Sequence, residues 1–376
     1  MRGPRPIAIL ALAALMGGVA PATLQAQADP FGALHPTQPG SSSGRTGGTG
    51  VSTAVGRSYA ASDTTGVASL AQIAFLPKTV APIPVQLKGW NAKFLKARPR
   101  IAVPSYALGF VRGAHARASA AGAGSEIVPR ATSITTMLVG VSDELAARLA
   151  DEAYADLIKR LGAAGFEVVA AAETQAAPHL QSLKRAPVGG GKGGDGGGVK
   201  GFVTYSPSAA PLIRGQALDQ GMSTPGVTLA LGHVSKELDA VLITPQLLID
   251  HLRIESTGRR MYVGNASVDA ELRFRINGVS RVDFCYGNEK GGTMPGAFQV
   301  QPTGSDELFG VMYEMQDRSD SVPLHNALVE AGFGSLYRQS LVYGVEVVPE
   351  RFAALTRAAY QGFNQALVDE IVRARR

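Results

Sequence analysis

Cysteine occurs once in the 376 residues, as Cys285, so no disulfide can form within the chain. Tryptophan also occurs once, as Trp90, and aromatics make up only 6%. The 45% hydrophobic fraction must therefore build its core mainly from Ala, Val, Leu and Ile. No run of Lys and Arg interleaved with aromatics is present, and the formal charge is only +6, so nucleic acid is not an expected partner. The histidines are His35, His115, His179, His233, His251 and His325, and none is three or four residues from another. Neither H-E-x-x-H nor G-x-S-x-G occurs. No metal and no cofactor is expected, and no residue is assigned a catalytic role.

What is present begins with an address. Arg2 and Arg5 precede the uncharged apolar run 7–20, and 26-AQA-28 supplies small residues before a cut between Ala28 and Asp29. This is the pattern of a cleaved secretory signal. Gly17, Gly18 and Pro21 interrupt a segment already short for spanning a bilayer, so no transmembrane helix is expected after cleavage. Removal of residues 1–28 leaves 34 basic against 30 acidic residues, a mildly basic +4 suited to anionic surfaces. Heavy use of alanine and glycine matches a GC-rich bacterial coding bias.

Residues 29–65 are Gly-, Ser- and Thr-rich and read as a disordered leader. Residues 66–99 carry several prolines, as in 80-VAPIPVQL-87, and read as an extended segment. An α/β domain is expected over 100–376, with a flexible glycine-rich insert at 187–201.

That insert, 188-VGGGKGGDGGGVKG-201, invites a ligand-binding reading. A phosphate loop needs a hydroxyl residue after its lysine, but Gly193 follows Lys192. A calcium-binding nonapeptide needs a large apolar residue where Gly197 stands, and needs Asp195 in repeated copies. Glycine loses the most conformational entropy on ordering, so a spacer is expected.

The regular domain opens with a strand at 100-RIAVPSYALGFV-111, edged or bulged at Pro104, and then a small-residue loop from Gly113 to Gly124. Ser142 is placed to cap a helix whose apolar stripe runs through Ala146, Leu149, Ala153, Leu157 and Leu161. Glu152 and Asp156 share its other face and read as solvated. A strand at 166–172 follows. Residues 239–255 read as one long strand or two short ones.

In 268-VDAELRFRI-276 apolar and charged residues alternate strictly. Asn277-Gly278 signals a hairpin, and the apolar register favours a loop of Asn277 to Val279 that pairs Phe274 with Val282 and Leu272 with Phe284. Cys285 then falls on the face opposite the apolar stripe, and burying it needs a second layer. Asp250 beside His251 suggests proton transfer, yet strand neighbours point to opposite faces. The chain ends with a strand at 340–348 and a helix from Pro349 to the terminal arginines.

The fold class expected is α/β (or α+β): a mixed sheet with packed helices in three layers. This order, from 100-RIAV-103 through 165-GFEVV-169, 238-LDAVLI-243 and 268-VDAELRFRI-276 to the last helix, resembles the curli secretion-channel family. It is also similar to the related periplasmic domains of penicillin-binding-protein activators and the amino-terminal part of the Tol translocation protein. The resemblance covers about half the chain, in pieces. It implies a periplasmic three-layer domain that binds envelope partners or oligomerises, with no catalytic residues to transfer. Three departures stand out: no acylated cysteine, the glycine run in place of a short connection, and no long alternating membrane-crossing hairpin.

The expectation is an exported protein, periplasmic or secreted and tied to the outer membrane. It would work by binding envelope proteins, a surface polymer or further copies of itself. The alternative is a periplasmic hydrolase or a solute-binding module.

Overall fold

The computed structural model describes residues 70–120, 130–186, 188–193, 198–216, 218, 224–257, 267–314 and 341–376. The signal at 1–28, the leader at 29–65, Asp195, His35 and His325 lie outside them.

The first elements are α1 (Leu70–Ala74), β1 (Leu87–Trp90), β2 (Arg100–Ala102), β3 (Ala107–Ala120) and β4 (Arg130–Val139). Next come α2 (Asp143–Ala163), β5 (Glu167–Val168), α3 (Ala171–Ala176), α4 (Pro178–Gln181), β6 (Arg185–Ala186), β7 (Val188–Gly193), β8 (Gly198–Tyr205) and β9 (Leu212–Ile213). After α5 (Pro225–Glu237) the chain is mostly strand: β10 (Ala240–Thr257), β11 (Ser267–Ile276), β12 (Arg281–Gly287), β13 (Thr293–Val300), β14 (Thr303–Ser305), β15 (Gly310–Glu314) and β16 (Leu341–Val347). Helix α6 (Pro349–Arg375) ends it.

Strand β10 organises a mixed sheet of 14 strands. One of its edges pairs in parallel with β2 and then β3, and the other pairs antiparallel with β12 and then β11. Helices cover both faces, as the sequence pattern leads one to expect. On one side α2 and α6 seal a large core with Leu108, Phe110, Ile243, Phe274 and Phe352. On the other, α5 and the short α4 seal a smaller one with Ala102, Leu242 and Cys285. Ser142 caps α2 by accepting a 3.2 Å hydrogen bond from the Leu145 N–H. No helix among the described residues is long and apolar enough to cross a membrane.

Several local readings change. The segment 113–120 is not a loop: it is the second half of β3 and pairs with β4 out to Ala120↔Arg130. Its alternation of alanine with polar residues is too weakly apolar to be read as a stripe. Of the glycine-rich stretch expected as a spacer, residues 188–193 are paired, with β7 lying along β8 from Val188↔Tyr205 to Gly193↔Lys200. The backbone ladder does not depend on side chains, which is why glycine could join it. Only Glu167 and Val168 of the strand expected at 166–172 are extended.

The Asn277-Gly278 turn does not fold β11 onto β12. Both strands lie end to end along the same edge of β10, with Ile276 opposite Ile249 and Arg281 opposite Gln246. The turn is a jog instead: Asn277 Oδ1 accepts from the Val279 N–H at 3.1 Å, and the Leu248 N–H donates to Ser280 Oγ at 2.9 Å. An 18-residue partner strand offered a longer ladder than a hairpin could.

Two antiparallel ribbons also stand where no long alternating hairpin was expected: β3–β4, and the far half of β10 with β11. The segment 70–99 lies on α6. The Ile83 N–H donates to the Ala358 carbonyl at 2.9 Å, and Arg375 donates to the carbonyls of Leu95, Arg98 and Pro99.

Candidate functional site

Alternation along β10 and β12 sorts their side chains. Ile243, Val282 and Phe284 join the large core, whereas Leu242, Thr244, Gln246, Arg281, Asp283 and Cys285 face the α5 side. The pairs Leu242↔Cys285, Thr244↔Asp283 and Gln246↔Arg281 therefore form a ladder running from apolar to charged. Helix α5 covers the apolar end and supplies the second layer that burial of Cys285 required.

Where α5 ends its cover, a small cleft of about 30 Å³ opens. Leu231, Leu242, Phe284 and Pro295 are its apolar walls, and Trp90 stands at it 43% exposed. Its polar side chains are Thr228, Gln216, Thr244 and Asp283. Gln216 Nε2 donates to Thr244 Oγ1 at 3.3 Å, and Thr244 Oγ1 donates to the Asp283 carbonyl at 3.2 Å. Gln246 Nε2 donates to Asp283 Oδ2 at 3.3 Å, and Arg281 Nη2 lies 3.2 Å from the same oxygen as an ion pair. Gln246 Oε1 is buried and accepts no hydrogen bond among the described residues. A second hollow of about 260 Å³, lined by Phe202, Leu212 and Leu218, shares Gln216 with the cleft.

Backbone economy shapes the cleft. A Cβ on Gly287 would lie 2.0 Å from the Gly232 carbonyl oxygen, so α5 meets β12 at a glycine–glycine contact. A Cβ on Gly296 would lie 2.2 Å from the Phe284 ring.

Burial pushes the Asp283 carboxyl up from 3.8 to about 6, against the pull of Arg281. Burial, and then the Asp283 charge, pushes the Cys285 thiol up to about 12. Thiolate is negligible at neutral pH, so Cys285 is a cleft-side hydrophobe and no nucleophile. Asp283 imposes a pH dependence. Between 3.8 and about 6 the folded protein keeps a proton that the unfolded chain has released. Its contribution to stability is complete below 3.8 and is lost as pH rises through about 6. Urea unfolding at pH 4.5, 5.5 and 7 is expected to show wild type losing stability relative to D283N as pH rises. Parallel curves would exclude the effect.

The residues singled out by sequence are scattered. Asp250 and His251 do not act together. Asp250 is fully buried; it accepts from Asn277 Nδ2 at 3.0 Å and from the Leu252 N–H at 3.1 Å, and pairs with Lys200 Nζ. Burial raises its pKa, but Lys200, His251 and Arg275 outweigh that and hold it below the ordinary value. His251 is buried and its pKa is pushed down to about 4 by burial, with Asp250 and the Val111 backbone offsetting only part of it; neither ring nitrogen meets hydrogen-bond geometry among the described residues.

His115 Nδ1 lies 2.9 Å from Thr135 Oγ1 in the core. Glu152 is not merely solvated: it binds Arg357 of α6 at 2.8 and 3.0 Å. Asp156 accepts from Asn364 at 3.0 Å and from Arg160 at 2.7 Å. Both carboxylates tie α2 to α6.

His179 and His233 stack at 4.6 Å, with Glu237 paired to His179. The fold makes this contact through α4 and α5, far apart in sequence. No group that could hold a metal ion occurs among the described residues.

Sequence reasoning missed the cleft because it missed α5. The signal was there: Pro225 at the first turn, then Val227, Leu231, Val234 and Leu238 at helical spacing. No protein-family model, no curated protein and no solved structure matches the chain.

Proposed function

We propose that the chain is an exported bacterial cell-envelope protein that acts by binding, as an assembly or secretion accessory factor. The observation that carries the binding reading is the cleft beside α5. It combines apolar walls, three neutral polar side chains and a buried carboxylate with a raised pKa, the composition of a ligand site. Hydrolysis has less support, because Cys285 carries no thiolate at neutral pH and His251 is sealed from solvent. The signal pattern supports export, and the resemblance to curli-type periplasmic domains supports an envelope setting. The outer edges of β1 and β7 pair with nothing among the described residues, which suits further copies or partners.

Trp90 makes the test direct, being the sole tryptophan and a cleft residue. The dye anilinonaphthalene sulfonate is expected to bind at one site and accept energy from Trp90. An envelope component that belongs in the cleft should displace it, and L231F should weaken both. Dye binding indifferent to L231F, with no displacement by any envelope fraction, would remove the reading. Cell fractionation checks export: mature protein beginning at Asp29 is expected outside the cytosol, and uncleaved cytosolic protein would refute it.

A second reading rests on the two ribbons. The paired stretches, 113–120 with 130–137 and 249–257 with 267–276, approach the length of bilayer-crossing strands, which need about 9–11 residues. Release of dye from lipid vesicles by an oligomer would favour it.

A further inference from the structure

We propose that the chain joins Lys200 to Asn277 by a side-chain amide bond that it forms on itself, with Asp250 as the proton carrier. None of the three lines the α5 cleft, so the bond does not depend on what that cleft binds. Lys200 on β8, Asp250 on β10 and Asn277 at the jog are 1%, 0% and 2% exposed. Asp250 Oδ2 meets both partners: Lys200 Nζ pairs with it, and Asn277 Nδ2 donates to it at 3.0 Å. A primary amine and a carboxamide are thus held on one carboxylate oxygen. Further hydrogen bonds fix all three groups. Lys200 Nζ donates to the Leu252 carbonyl at 3.2 Å, and Asp250 Oδ1 accepts from the Leu252 N–H at 3.1 Å. Asn277 Oδ1 accepts from the Val279 N–H at 3.1 Å. Phe202 and Leu248, two residues along from Lys200 and Asp250, form an apolar cluster with Val111 and Leu218, and Val279 packs on it.

In water an amine is protonated and solvated and rarely meets an amide in a reactive pose. Burial penalises the ion pair, which favours passing a proton from Lys200 Nζ to Asp250 Oδ2 and leaves a neutral amine. Fixed orientation replaces a bimolecular encounter. The freed lone pair attacks Asn277 Cγ, and the carbonyl electrons move onto Oδ1, where the Val279 N–H stabilises the negative charge. Asp250 then hands its proton to Nδ2 as it takes a second one from Nζ. The Cγ–Nδ2 bond breaks, neutral ammonia leaves, and an Nζ–Cγ amide remains beside a protonated Asp250. No oxidant or other reactant is needed. Attack on Asp250 instead would consume the carrier. The structure holds the three groups as they stand before the bond forms. Once made, the bond closes a loop from residue 200 to residue 277 and restricts the unfolded chain, as a disulfide would in a protein with two cysteines.

Variants at Lys200 lose the ion pair and the bond together, so peptide masses and not unfolding must separate them. Purified full chain would be denatured, digested with trypsin and weighed by mass spectrometry. Wild type is expected to yield residues 193–214 joined to 276–281, lighter than the two by one ammonia and uncut after Lys200. K200R keeps a cation for Asp250 but has no amine, and N277A has no carboxamide; neither should yield the joined peptide. D250N should leave the peptides separate, because loss of the carrier slows the reaction about a hundredfold or more. Circular dichroism matching wild type would show that these variants fold, and the wild-type digest stands without them. Separate peptides 193–200 and 276–281 from wild type would overturn the proposal, as would full joining in D250N. Two other products would overturn it as well. Loss of ammonia within 276–281 alone marks cyclisation at Asn277-Gly278, and Lys200 joined to 237–253 with loss of water marks attack on Asp250.

Discussion

K200M is expected to cost the fold about 3–5 kcal/mol, because it strands a buried carboxylate without its cation. Lys200 is 1% exposed and Asp250 is not exposed at all. The ammonium reaches across β3 from β8 to pair with Asp250 on β10, and also donates to the Leu252 carbonyl at 3.2 Å. Asp250 in turn holds Asn277, the residue that sets the jog between β11 and β12. The pair therefore fixes the point where three strands change partners. K200M/D250N removes both charges and keeps an acceptor for Asn277 or the Leu252 N–H. It is expected to recover about half of the loss. Urea unfolding at pH 7 measures both. A loss below about 1 kcal/mol in K200M would show that the network is not what holds this crossing together. The Asp250 contribution is present above the ordinary carboxylate pKa and is lost as pH falls through the lowered folded value, opposite in sense to Asp283.

G287A is expected to damage the cleft as well as the fold. The new Cβ would sit 2.0 Å from the Gly232 carbonyl oxygen and 2.8 Å from the Lys236 side chain. Lys236 can swing away, but the helix backbone cannot, so α5 must lift from β12. Overpacking of this kind costs about 1–3 kcal/mol. Because Thr228 and Leu231 ride on the same helix, dye affinity and Trp90 emission should change with the melting temperature. G162A is the control of opposite sign. Gly162 lies within α2 with nothing within 4 Å of a Cβ, so alanine should stabilise by about 0.5–1 kcal/mol and leave the cleft untouched. A G287A protein with wild-type stability and unchanged Trp90 emission would show that α5 is not wedged against the sheet.

The cleft shows why a site can be present in the sequence and still go unread. Asp283 and Cys285 are visible as alternate residues of one strand, and their shared face follows from the period of two. Nothing local says that Thr244 and Gln216 will join them, or that Trp90, some 190 residues earlier in the chain, will stand at the opening. Asn277 was legible as a turn residue, whereas Lys200 and Asp250 reached it only through the assembled strands.

Sequence alone determined what depends on neighbours along the chain. The capped amphipathic α2, the Pro-started α6, the alternation of β11 and the three-layer α/β class all follow from spacing within one element. Tertiary structure decided what depends on competition between distant segments. Residues 277–280 could have closed a hairpin, and the glycine run could have stayed out of the sheet. The longer ladder along β10 took β11 and β12 in line, and the edge of β8 took β7. A backbone that pairs through its own amides accepts whichever partner offers the most continuous edge, and only the assembled sheet reveals which edge that is.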